Sequence, residues 1–152
     1  MKKYMENIKD ILKKSDFLFE LIHNDIPIYT AKEGADYFKI NIGQIAPTLI
    51  IYTDIGFHVL VVSGERGHVN FKEVKHVLNC KKVRMATKDE VKLITGFSVG
   101  NVPMFGILLP YIVDKRLLKF SFVYGGLGEE NRTLKVDPNA LLKLNKVIGI
   151  LD

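Results

Sequence analysis

The chain has 152 residues, 47% of them hydrophobic and 26% charged, with a formal net charge of +5. That length and balance suit one water-facing domain with a real apolar core, and exclude a disordered or fibrous chain. A lone cysteine, Cys80, excludes an intramolecular disulfide or a multi-cysteine zinc site. The surplus positive charge permits a polyanionic partner without requiring one.

Taken from the start, Ile8, Ile11 and Leu12, then Leu18, Leu21 and Ile22, are spaced for one or two amphipathic helices before Pro27, so residues 1–26 read as an N-terminal helical segment. Charged residues from Glu6 to Lys14 interrupt any signal-peptide core, and no apolar run is long enough to span a bilayer. A cytoplasmic location and no membrane partner are the resulting expectations. Thr30-Ala31-Lys32-Glu33 and Thr87-Lys88-Asp89-Glu90 are capping boxes, in which the hydroxyl accepts from a free N–H and the glutamate reaches back. Asn70-Phe71-Lys72-Glu73 has the same layout, and Asp137-Pro138 puts proline in a first helical turn. These signals predict helices over Ala31–Phe38, Phe71–Leu78, Lys88–Ile94 and Pro138–Leu144.

Strands fall between them. Thr48–Thr53 and Phe57–Val62 flank a turn at Asp54-Ile55-Gly56, and their nearly unbroken apolar character predicts burial on both faces. Val83–Ala86, Leu108–Val113, Lys119–Tyr124 and Arg132–Val136 are further strand candidates. Short helices among strands make a single mixed α/β (α+β) domain over residues 1–152, without repeat or linker.

Familiar catalytic patterns are missing. No Lys-Ser or Lys-Thr follows the glycines at Gly100 and Gly106, the second glycine run leads into a strand, and there is no Gly-x-Ser-x-Gly elbow. His23, His58, His68 and His76 lack HExxH spacing; His58 reads as a hydrogen-bonded strand residue and His68 as a solvated turn residue. Asp114 reads as a turn or cap. Lys81, Lys82, Arg84, Lys88 and Lys92 are a basic group whose ordinary role is a solvated face. No metal and no cofactor are called for. What stands out is two backbone-built loops, Gly96–Gly106 with three glycines and Pro103, and Tyr124–Asn131 with three more glycines. Such loops have a specified path and can bring backbone amides close to a ligand.

With Thr30, Thr48-Leu49, Thr95-Gly96-Phe97, Gly100-Asn101-Val102-Pro103, Phe105-Gly106, Asp114, Tyr124-Gly125-Gly126-Leu127-Gly128, Asn131 and Pro138 in this order, the chain resembles the YbaK/ProX family of aminoacyl-tRNA deacylases from about Pro27 to Leu144. That family includes the editing domain associated with prolyl-tRNA synthetases. Its pattern runs through a Lys-Thr-Leu strand start, a Thr-Gly-Tyr-x-x-Gly-Gly-Val-Pro-Pro-Phe-Gly loop and a Tyr-x-Gly-Gly-Gly-x-x-Asn-like loop. The resemblance implies a mixed sheet curved towards an open barrel, flanked by short helices. It also implies hydrolysis of the ester between a wrongly attached small amino acid, such as alanine or cysteine, and the tRNA 3′ end. Partners would be the tRNA acceptor end and, in some settings, a synthetase. Backbone amides of Gly100, Asn101 and Val102 would stabilise the oxyanion. Thr30, Pro47, Thr48, Pro103, Gly106, Gly125, Gly126 and Asn131 would shape the substrate site.

Four departures qualify the resemblance. The family lysine of Lys-Thr-Leu falls on Pro47, and no lysine occurs between Lys39 and Lys72 to replace it. Its loss removes a charge-assisted contact, worth about 1.5–3 kcal/mol. The loop's second glycine is Asn101, its second proline is Met104, and a histidine often found after its last glycine is Ile107. Pro47 is compatible with three readings: a strand-opening edge residue, an altered substrate, or a protein that binds a tRNA end, nucleotide or small ligand without catalysis.

Overall fold

The computed structural model describes residues 2–152. An amphipathic helix, α1 (Lys2–Lys14), buries Ile8 and Leu12 and ends in Lys13 and Lys14, which suit the negative end of its dipole. The chain then breaks at Ser15-Asp16, where Asp16 adopts φ 67°, and enters β1 (Phe19–His23). This corrects the expected helical segment over 1–26. Leu18, Leu21 and Ile22 have helical spacing, but Phe19 and Leu21 alternate as strand residues and pack on the core.

The predicted caps form. Thr30 and Glu33 close a capping box on α2 (Ala31–Phe38), and Thr87 and Glu90 close another on α4 (Lys88–Thr95). The Asn70 side chain accepts from Lys72 N–H at the start of α3 (Phe71–Leu78), and Asp137 accepts from Asn139 N–H before α5 (Asn139–Leu144).

The remaining strands are β2 (Thr48–Thr53), β3 (Gly56–Val61), β4 (Val83–Met85), β5 (Tyr111–Asp114), β6 (Val123–Gly126), β7 (Arg132–Val136) and β8 (Val147–Leu151). They form two sheets. One is antiparallel, ordered β1-β7-β6; the other is mixed, ordered β4-β2-β3-β5-β8, with β3-β5 and β5-β8 parallel. A single parallel bridge, Ile45 to Tyr124, connects them. The mixed α+β domain expected from sequence is thus observed, with its strands divided between two sheets and no closed barrel. Of the expected Lys119–Tyr124 strand, Lys119 closes a 3₁₀ turn that starts at Lys115, and β6 begins only at Val123. Leu108 lies outside β5 and is exposed, and β8 has no counterpart among the predicted strands.

Burial on both faces of β2 and β3 is observed. Ile50, Val59 and Val61, with Tyr111 and Val113, face the larger core shared with α1, α5 and the three-stranded sheet. Ile51, Leu60 and Val62, with Ile112, face a smaller core under α3. The period-2 alternation therefore feeds two apolar layers from one sheet.

Candidate functional site

The seam between the two sheets holds a cleft of about 280 Å³. Its back is the short segment Ile45-Ala46-Pro47, which runs from one sheet to the other. Ala46 N–H donates to Tyr124 O at 2.8 Å, Gly64 N–H to Ile45 O at 2.8 Å, and Val62 N–H to Pro47 O at 3.0 Å. Pro47 stands just before β2, so its carbonyl is used while its missing N–H takes no ladder bond away. It is half-buried and lines the cleft. On one side α2 presents Thr30, whose hydroxyl is engaged with Glu33 N–H at 3.0 Å.

The opposite wall is the first glycine loop. Thr95 folds it at the end of α4, its hydroxyl donating to Val91 O at 2.7 Å and accepting from Phe97 N–H at 3.0 Å. A turn follows in which Asn101 N–H donates to Ser98 O at 2.9 Å, with Gly100 at φ 89°. Of the three amides expected to face an oxyanion, Asn101's is thus consumed by the turn; those of Gly100 and Val102 have no partner among the described residues.

The two glycine loops lock together. Met104 N–H donates to Gly126 O at 3.3 Å. A Cβ on Gly126 would lie 2.8 Å from Val102 O, and one on Gly125 would overlap the Met104 side chain. Met104, which departs from the family pattern, is fully buried and fills the space beneath Gly125. From behind, Tyr4 of α1 donates its hydroxyl to Phe105 O at 2.8 Å and packs edge-on against Phe97. Asn145 Nδ2 holds Met104 O at 3.1 Å.

Within the cleft the ionisable groups are few. Glu129 pairs with Arg132 at 3.6 Å, and Glu130 is exposed with no ion pair among the described residues. No lysine lines it. Asn24 is only 1% exposed, and the Thr48 hydroxyl is buried with no hydrogen-bond partner.

Eight of the eleven residues singled out from sequence line this cleft: Thr30, Pro47, Thr48, Gly100, Asn101, Val102, Gly125 and Gly126. Three do not. Pro103 is buried behind the loop. Gly106 lies against Tyr4 and, with Ile107, beside a separate hollow near Leu144. Asn131 contributes its carbonyl, which accepts Asn24 N–H at 2.7 Å. Ile107, where the family often has histidine, is therefore outside the cleft, and Pro47 and Asn101 are the departures that line it.

Sequence reasoning missed Asn24, Thr133, Glu129 and Glu130. The two glutamates sit inside the second glycine loop, so the loop itself was a signal for them; a lone asparagine after a strand gave none. Elsewhere, His58 is buried with Nδ1 3.0 Å from Gly56 O, and His68 is exposed. Cys80 is half-buried, with burial the largest influence raising its thiol above the ordinary value. Lys81, Lys82, Lys88 and Lys92 are exposed, whereas Arg84 pairs with Glu90 at 2.7 Å and covers the Tyr52 ring. Hydrogen bonds from Arg84 first, and from Thr87 N–H second, bring the Glu90 carboxyl down to about 2. No helix among the described residues is long and apolar enough to cross a membrane.

A family model of the aminoacyl-tRNA editing domain matches residues 25–144. The chain is 31% identical over 111 residues to a proline–tRNA ligase of Solidesulfovibrio magneticus, covering 72% of this chain and 19% of the ligase. It is 24% identical over 126 residues to the proline–tRNA ligase of Fervidobacterium nodosum, covering 82% and 22%. The chain thus spans about a fifth of the length of the curated relatives it matches. A solved structure described as a hypothetical protein is 30% identical, with a TM-score of 0.81 over 92% of this chain and 95% of that one. Another, described provisionally as a trans-editing enzyme for prolyl tRNA synthetase, is 25% identical, with a TM-score of 0.83 over 98% and 95%.

Proposed function

Because the chain belongs to the aminoacyl-tRNA editing domain family, we propose that it is an editing hydrolase. It releases a small, wrongly attached amino acid from the 3′ end of a tRNA. The observation that carries this is the cleft where both glycine loops meet Thr48, with the Gly100 and Val102 amides left without partners.

In this reading the aminoacyl ester enters the cleft with its carbonyl oxygen towards those two amides. Water adds to the carbonyl carbon, and negative charge develops on the oxygen, where fixed N–H donors stabilise it most. The bond from carbonyl carbon to ribose oxygen then breaks. The proton lost by the water goes to the departing ribose oxygen, relayed by the neighbouring ribose hydroxyl. The products are the free amino acid and the deacylated tRNA. Thr48 orients the substrate through its hydroxyl, and the close-packed Gly125–Gly126 wall limits the size of the acyl group.

Pro47 favours a second reading, in which the same cleft binds a tRNA end or nucleotide without turnover. A deacylation assay over a panel of mischarged tRNAs separates the two. Turnover above the uncatalysed rate for a small aminoacyl group is the expected result, and none for any member sinks the hydrolase reading. Pro47→Lys sharpens it further. Restoring a charge-assisted contact of about 1.5–3 kcal/mol raises kcat/KM by about 10- to 100-fold if the lysine was limiting.

A further inference from the structure

Within the proposed editing reading, on which this step rests, we infer that Asn24 is a substrate-contacting residue that selects an acyl group with a small hydroxyl-bearing side chain, as in serine or threonine. Asn24 lies one residue before the segment matched by the family model. It follows β1, where its N–H donates to Asn131 O at 2.7 Å. Its side-chain carbonyl is fixed by the Thr133 hydroxyl, which donates to Oδ1 at 2.9 Å. The amide nitrogen Nδ2 is buried and has no partner among the described residues, although the residue lines the cleft.

A buried N–H donor left unpaired is costly, so a site that keeps one is suited to a ligand that brings an acceptor. The Thr48 hydroxyl is in the same condition on the wall of the same cleft. Asn24 is also connected to the loop that carries the free amides. Thr133 is paired with Gly126 across β7 and β6, and Gly126 lies against Val102 O. Contacts through Thr133 on β7 and Gly126 on β6 therefore link this donor to the loop where the ester carbonyl is expected.

The chemistry of the acyl group follows from where charge is placed. The ionisable lining residues Glu129, Glu130 and Arg132 are half-buried or exposed, whereas the buried unpartnered groups are neutral. The ammonium of an aminoacyl group belongs beside Glu130 at the mouth. The buried end suits a neutral group that both accepts and donates, accepting from Asn24 Nδ2 and exchanging a hydrogen bond with Thr48 Oγ1. A hydroxyl does both; the methyl of an alanyl group leaves both protein groups unpaired. Discrimination of that kind, where a polar pocket rejects the analogue lacking the polar group, is much stronger than apolar size selection.

The test uses the full chain and two non-hydrolysable probes, the amide-linked seryl and alanyl derivatives of 3′-amino-3′-deoxyadenosine, with calorimetric titration. Wild type is expected to bind the seryl probe at least about tenfold more tightly than the alanyl probe. In Asn24→Leu that preference disappears while affinity for the alanyl probe is kept, which also shows that the variant is folded. Should Asn24→Leu fail to fold, Thr48→Val carries the same test, with the preference reduced. Equal binding of both probes by wild type, or a preference unchanged in the variants, overturns this inference and leaves the editing reading standing. Binding of neither probe, together with no deacylation of any mischarged tRNA, overturns the editing reading and this inference with it.

Discussion

The molecule buries polar groups in two places and treats them oppositely. Around Asp114, at the end of β5, every oxygen is used. The carboxylate accepts Arg66 Nε at 2.7 Å, Arg66 Nη2 at 2.8 Å, Ser63 N–H at 2.9 Å and Arg116 N–H at 3.0 Å. Arg66 also reaches Asp152 O and Glu73, and the Ser63 hydroxyl donates to Gly43 O at 2.7 Å. In the cleft, by contrast, the buried Asn24 Nδ2 and Thr48 Oγ1 and the amide of buried Val102 are without partners among the described residues, beside the exposed Gly100 amide. A closed polar network fixes the path of the chain; an open one sacrifices stability to keep donors available for something else. The contrast separates a structural carboxylate from a candidate binding site without reference to any relative.

The largest effect should come from breaking the closed network. Asp114→Ala leaves the Arg66 guanidinium buried, its side chain only 6% exposed, with two N–H groups unsatisfied. A loss of about 3–5 kcal/mol in unfolding free energy is expected from denaturant titration. A loss below about 1 kcal/mol would show that this network is not what fixes the end of β5 against the Ser63–Arg66 turn. The same carboxyl makes a pH prediction. Burial opposes its charge, but the Arg66 hydrogen bonds, helped by the Ser63 and Arg116 N–H groups, outweigh burial and hold it below its usual range. A depressed native value means that the stabilisation is complete above the unfolded value, roughly 4, and is lost as pH falls through the native one. Asp114→Ala should therefore flatten the acid side of the stability profile.

A middle-sized effect tests the open region's framework. In Gly126→Ala the new methyl meets Val102 O, a backbone atom that cannot turn aside. The loop must shift, with about 1–3 kcal/mol of destabilisation. Displacement of the Val102 amide should reduce kcat on a mischarged tRNA by more than it raises KM, because in the proposed mechanism that donor acts on the developing charge. An unchanged kcat in a correctly folded Gly126→Ala protein would remove the Val102 amide from the mechanism.

Where sequence was legible, the information was local. The boxes Thr30/Glu33 and Thr87/Glu90 are read within four residues, and the helices begin as those residues dictate. The apolar doublets of β2 and β3 announced a sheet covered on both faces. The glycine loops were visible because glycine and proline act on their own backbone. Whatever depended on distant partners was hidden. The strand β1 shows helical spacing and is decided by pairing with β7, more than a hundred residues away. Asn24 owes its environment to Thr133, 109 residues on. Met104 looked like a defect in a motif; only its packing beneath Gly125 shows it as the piece that joins the two loops. The use of Asn101 N–H by a turn, which subtracts one donor from the expected three, is likewise a matter of local geometry that residue types do not report.

The smallest effect is the most specific to the comparison. Thr48→Val keeps the β-branched shape at the start of β2 and removes a hydroxyl that has no partner. A structural hydroxyl would cost about 0.5–1.5 kcal/mol on removal, and more if a partner were stranded. Here thermal unfolding should show a change within about 0.5 kcal/mol, or a gain, since a buried polar atom without a hydrogen bond is relieved. Activity on the mischarged tRNA should fall in the same protein, because in the proposed reading the hydroxyl contacts the ligand. A drop in stability above about 1 kcal/mol would place Thr48 with Asp114 as a structural group, and the distinction between the two polar regions would then rest on Asn24 and the loop amides alone.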